Sequence, residues 1–169
     1  MRIKNKGAAG MAIDRIDWHW DAITDEISDD EHWERAGAHI GYFMEWAYKK
    51  GFAPDNPETH DVQECKKVVN SEKNGLQFLI ENCDTKFWEE DLSEQGQKFA
   101  KFAYDAYLHN FETIVGHEAY TTKYNQQDLN NVSTYLDKVY LDYLANSPLE
   151  SSNRGRKSFF QKLKGMVSR

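Results

Sequence analysis

The stretch His32–Phe52, HWERAGAHIGYFMEWAYKKGF, constrains this chain more than any other. Ile40, Phe43, Met44 and Ala47 recur at helical spacing and draw an apolar stripe. Trp33, Tyr42, Trp46 and Tyr48 widen that stripe with aromatic surface, so the helix must lie against several partners at once. Lys49 and Lys50 fall in its last turn, where cations suit the negative end of the helix dipole. Gly51 follows at a position that often takes a left-handed backbone, and Pro54 and Pro57 keep the helix from resuming. Gly37 and Gly41 are four apart on one face. They predict the close approach of a neighbouring helix, with a ligand contact as the alternative.

The remaining elements follow from the same periodicity. Asp61–Asn70 reads as a short helix with Val62, Cys65, Val68 and Val69 inward, and Leu76–Cys83 as a further apolar helix. Asp84–Leu92 reads as a charged turn carrying Phe87, Trp88 and Leu92. Ser93 is placed to cap a helix that runs to about Phe111 and buries Phe99, Phe102, Ala103, Ala106 and Tyr107. Gly116 marks a break, and the polar residues 117–127 receive no element. In Asp128–Ala145, Leu129, Val132, Leu136, Val139, Tyr140, Tyr143 and Leu144 share a face, and Pro148 stops the helix. There is no strand alternation, repeat or low-complexity tract. The expected fold is all-α: a single-domain bundle of about five to seven helices over residues 13–147. A flexible basic N-terminus, 1–12, and a basic amphipathic C-terminal tail, 148–169, flank it.

A chain of 169 residues can bury a core without disulfides or metals. Cys65 and Cys83 sit in apolar helical patterns and read as small core residues, not as a disulfide. No apolar run approaches the roughly 20 residues of a membrane span. The N-terminal MRIKNKGAAGM lacks the apolar segment of a signal peptide. A cytoplasmic protein is therefore expected.

Charge is unevenly placed. Arg2, Lys4, Lys6, Arg154, Arg156, Lys157, Lys162, Lys164 and Arg169 stand in two end segments without acids; removing these nine charges from the net −7 leaves −16 for residues 11–153. Such a body repels nucleic acid and attracts a basic partner, chiefly by raising the association rate. Seven acids, Asp21, Asp25, Glu26, Asp29, Asp30, Glu31 and Glu34, fall within fourteen residues, with no base before Arg35. They read either as an acid-rich helix start or as a partner-binding surface.

The search for chemistry is mostly negative. There is no phosphate-binding glycine loop, dinucleotide fingerprint or nucleophile elbow. His19, His32, His39, His60, His109 and His117 are scattered. His32 and His39 are seven apart on one helix face, with His19 not far away, but no HExxH or paired-ligand spacing supports a metal site. Glu89, Glu90 and Asp91 read as a solvated turn in preference to an acid–base pair. No catalytic, cofactor-binding or metal site is expected and the chain does not read as an enzyme. The alternative is a metal-dependent or other enzyme using the scattered histidines and carboxylates.

Three segments carry a resemblance: AGAHIGYFMEWAYKKGF, FLIENCDTKFWEEDLSEQGQKFAKFAYDAY and YLDYL. With the aromatic–acidic DRIDWHWD before them, they resemble a family of small bacterial helical immunity proteins with an uncharacterised domain. Those proteins are encoded beside polymorphic and contact-dependent-inhibition toxins. The likeness spans roughly residues 13–145. It implies an immunity protein that binds and neutralises a cognate toxin C-terminal domain. The expected toxin is a nuclease, an RNase foremost, whose basic cleft for phosphates an acidic surface would cover. The seven acids are the expected toxin contact. No direct nucleic-acid binding and no stable membrane association are expected.

Lys86 and Asp142 lie in the segments that carry the resemblance, each beside apolar and aromatic residues. They read either as a partly exposed lysine with no fixed partner or as a buried ion pair between the two, since either charge alone is costly to bury. An isopeptide bond is the lesser, covalent variant. In the tail, Phe159, Phe160, Leu163, Met166 and Val167 form an apolar face opposite Lys157, Lys162 and Lys164. This segment reads as a solvated basic tail, or as a helix docking on the acidic body or on membrane.

Overall fold

A computed structural model describes residues 11–57 and 60–146. The expectations for residues 1–10 and for the tail from 148 to 169 fall outside the described residues. Helix α1, Asp29–Ala47, is the axis of the structure. Ser28 caps it by accepting the Glu31 N–H, and Asp29, Asp30 and Glu31 fill its first turn, where the helix dipole favours acids. From Ala36 to Tyr48 every residue is buried. The helix then widens into a π-type turn, Tyr48–Phe52, which Gly51 accommodates with a φ of 89°. Gly51 takes the left-handed backbone expected of it after Lys49 and Lys50, but the last turn, which holds both lysines, is not α-helical.

The glycines of α1 do what their spacing predicts. Helix α3, Gly75–Asn82, crosses α1 so closely that a Cβ on Gly41 would sit 2.7 Å from the Leu76 backbone nitrogen. A Cβ on Gly75 would come within 2.1 Å of the Gly41 carbonyl oxygen. Asn74 and Gln77 close a reciprocal capping box at the start of α3. Helix α2, Val62–Val69, begins at Asp61, whose carboxylate accepts from the Gln63 and Glu64 N–H groups.

Two strands were not expected. β1, Ala12–Arg15, pairs antiparallel with β2, Lys86–Trp88, with Asp14 opposite Phe87 and Arg15 opposite Lys86. Strands of four and three residues are too short to show alternation, and their pairing spans some seventy positions of sequence. Two 3-10 turns, Ile16–Trp18 and Trp20–Ala22, lead from β1 towards α1.

Helix α4, Glu94–His109, starts at Ser93 as predicted, and its core face is Phe99, Ala100, Ala103, Tyr104 and Tyr107. Phe102, 53 % exposed, and Ala106 point outward, contrary to expectation. Phe99, Ala103 and Tyr107 are four apart, so Phe102 falls on another side of the cylinder. The centre of the core is Phe43, with Tyr104 edge-on at 4.9 Å, Tyr107 at 5.5 Å and Phe87 at 6.1 Å between ring centres. Helices α5, Phe111–Val115, and α6, Gln126–Asn146, complete six helices among the described residues. The fold is all-α with one minimal sheet.

The described residues up to Leu136 form one compact unit, and Leu129, Val132 and Leu136 of α6 are buried. From Asp137 the helix belongs to a second unit, where Val139, Tyr140, Tyr143 and Leu144 are half-buried and the Tyr140 and Tyr143 rings lie 6.3 Å apart.

Candidate functional site

The seven acids divide into two groups. Asp25 and Glu31 both accept hydrogen bonds from the largely buried Arg35 guanidinium, Asp25 at 2.8 Å. Lys123 approaches Glu31 at 3.5 Å and Glu34 at 3.4 Å. The Arg35 hydrogen bond is the main reason the Glu31 carboxyl sits below the usual range. Asp21, Glu26, Asp29 and Asp30 are exposed and have no ion-pair partner among the described residues. Their support is aromatic. The Trp20 ring lies flat on His32 at 3.8 Å and meets Trp33 at 4.7 Å, and His32 Nε2 donates to the Trp20 carbonyl at 2.8 Å. His32 is thereby committed to this stack, not to a site with His39.

Lys86 and Asp142 do not meet the conditions for a buried pair. Lys86 Nζ bonds Asp84 at 2.9 Å with its side chain 29 % exposed, and Asp142 is exposed. β2 carries Phe87 inward, so the pleat turns its neighbour Lys86 towards the surface.

A polar centre forms where the sequence shows only scattered residues. Asp14 on β1 is 2 % exposed. Its Oδ1 lies 2.7 Å from His19 Nε2, and its Oδ2 lies 3.2 Å from His39 Nε2. The two histidine Nε2 atoms are 3.2 Å apart. Tyr104 of α4 donates its hydroxyl hydrogen to Asp14 Oδ2 at 2.8 Å, and the Tyr120 hydroxyl and His19 Nδ1 share a hydrogen bond of 2.8 Å. Burial works to raise the Asp14 carboxyl, but hydrogen bonds from His19 and His39 outweigh it and hold the group well below the usual range. Burial keeps the His39 imidazole below its ordinary value, with Asp14 only partly offsetting it. Burial likewise pushes the Tyr120 hydroxyl up to about 12. His39 Nδ1 is buried without a hydrogen-bond partner, so packing against Phe111 and Tyr120 orients that side of the ring.

The histidines flagged by sequence thus resolve as His19 with His39. Asp14, Tyr104 and Tyr120 were not singled out. Asp14 stands five residues before His19 in DRIDWHWD, which was a usable signal; Tyr120 lies in the polar segment 117–127 and gave none. That segment also sends the Tyr124 hydroxyl to the buried Glu45 carboxylate at 2.6 Å and His117 to Asp128 at 3.0 Å. Glu45 further accepts the Gly75 N–H at 2.8 Å and the Lys49 ammonium at 2.6 Å. These carboxylates are fully engaged in holding elements together.

The molecule is therefore an all-α domain with an aspartate–histidine centre inside and an acid-rich edge outside. Residues 12–136 match the family described as a domain of unknown function, DUF7832, and the chain belongs to that family. No curated protein and no solved structure matches it. The family description names no activity and no toxin.

Proposed function

We propose that this chain is an immunity protein of the kind its sequence resembles: a cytosolic inhibitor that binds a cognate toxin domain, a nuclease with a basic cleft, and occludes that cleft. The observation that carries the reading is the group of exposed acids Asp21, Glu26, Asp29 and Asp30, which have no ion-pair partner among the described residues and lie close in sequence to the Trp20–His32–Trp33 stack. Exposed acids in excess of what a helix start needs are available to a basic surface. Trp18, 59 % exposed and close in sequence to Asp17 and Asp21, supplies the kind of aromatic anchor that dominates interface energetics.

The test is co-expression with the cognate toxin domain, which this reading places in a neighbouring gene. Protection of the host and a complex with the toxin are expected. Neutralising the four acids together, as D21N/E26Q/D29N/D30N, slows association and flattens its dependence on salt. Trp18→Ala instead speeds dissociation. A complex indifferent to all of these changes removes the acidic edge from the interface, and an absence of protection overturns the immunity reading. The competing reading, an enzyme built on the histidines, draws on the partial exposure of His19, which links the buried Asp14 to solvent. It requires a turnover that His19→Ala abolishes.

A further inference from the structure

We infer that Asp14, His19 and His39 form a binding site for one divalent transition-metal ion, of which zinc is the natural occupant. The site is independent of the acidic edge and of the immunity reading. Three elements bring the ligand atoms together: β1 contributes Asp14, the junction of the two 3-10 turns contributes His19, and α1 contributes His39. One donor atom from each lies within 4.8 Å of the others.

The spacing fits a metal. Zinc binds imidazole nitrogen at about 2.0–2.1 Å, so two ligands at a tetrahedral angle stand about 3.3 Å apart. The His19 and His39 Nε2 atoms are 3.2 Å apart, and His39 Nε2 and Asp14 Oδ2 are also 3.2 Å apart. With Asp14 Oδ1 as the ligand, its 2.7 Å separation from His19 Nε2 must open by about half an ångström. His19 is the member able to give, because its side chain is 14 % exposed while those of Asp14 and His39 are 3 % and 1 % exposed. The same ring nitrogen of two imidazoles and an oxygen of one carboxylate converge on one point. A single dication answers the three donor atoms at once.

The surrounding shell orients two of the three ligands as metal ligands require, while His39 Nδ1 is held by packing alone. A histidine bound through Nε2 carries its hydrogen on Nδ1, and His19 Nδ1 has the Tyr120 hydroxyl at 2.8 Å to receive it. The Asp14 carboxylate is oriented by the buried Tyr104 hydroxyl at 2.8 Å. Two nitrogens and one carboxylate oxygen suit zinc and its neighbours better than calcium or magnesium. A fourth ligand, water, enters from the His19 side. The ion fastens β1 and the 3-10 turns to α1.

The experiment uses the full chain, stripped with chelator and titrated with Zn2+ against a chromogenic chelator, and with Co2+ under visible absorption. One equivalent of Zn2+ binds, Co2+ gives the intense visible bands of a four-coordinate site, and Zn2+ raises the melting temperature. His19→Ala, at the rim, weakens Zn2+ binding at least 100-fold, and Tyr120→Phe weakens it about 10-fold. Absence of one-to-one binding by the wild type overturns the proposal, whatever the variants do. So does a weak octahedral Co2+ spectrum, or Zn2+ affinity that His19→Ala leaves unchanged.

Discussion

At the scale of residues, two kinds of position carry predictions. The first is the glycine pair that lets α1 and α3 touch. Gly75→Ala sets a Cβ against the Gly41 carbonyl, backbone against backbone, and should cost about 3 kcal/mol or more. Gly37→Ala meets the ends of the Ile16 and Leu76 side chains at 2.5 and 2.7 Å, which can turn aside. With the gain from replacing a helical glycine, its cost should stay near about 1 kcal/mol. Urea unfolding of both variants checks the order, and the reverse order would contradict the crossing. The second is His117. Burial opposes its charging, but the Glu118 carbonyl and the Asp128 carboxylate outweigh that and raise its pKa above the ordinary value. Folding therefore strengthens proton binding, so the stabilisation is complete below the unfolded value of about 6.5 and is lost as pH rises through the folded one. The stability difference between wild type and His117→Gln should be largest near pH 5.5 and shrink by pH 8. Its size should stay below about 1 kcal/mol, because the His117 side chain keeps 30 % exposure. A difference that grows with pH would sink the assignment.

At the scale of elements, caps and crossings set the boundaries. α3 is only eight residues long, too short to persist alone, and its capping box fixes where it starts. Asn74→Ala should cost about 1–2 kcal/mol in thermal or urea unfolding, whereas Gln63→Ala on the exposed face of α2 should be close to neutral. Helices α1, α4 and α6 were legible because each repeats apolar residues at 3.6 spacing over several turns, and α3 because its two turns are dense in apolar residues. The β1–β2 pair was not, because a four-residue strand finds its partner through contacts far away in sequence. The outward turn of Lys86 follows from that pairing. Intact mass should accordingly equal that of the full sequence, and a deficit of one water would restore the isopeptide variant.

At the scale of the whole molecule, net charge governs encounter more than fold. The −16 carried by residues 11–153 predicts that association with a basic partner slows steeply as salt rises from 0.05 to 0.5 M, roughly the range over which the screening length shrinks to a few ångströms. An association rate flat across that range, measured by stopped flow, would remove the steering argument. The sequence by itself determined the all-α class, the placement of the main helices, the close glycine contact on α1 and the acid-rich segment before Arg35. Each of these is written in local periodicity or in local composition. Beyond the local Glu31–Arg35 pair, tertiary structure alone decided which of these acids are engaged, because Arg35 reaches Asp25 and Lys123 reaches Glu31 and Glu34. It also decided that Asp14, His19, His39, Tyr104 and Tyr120, spread over more than a hundred positions, converge on one centre. The spacing of those residues carries no period. Their meeting depends on β1 docking beside α1 and on a polar loop folding back over it, and no local pattern encodes either event.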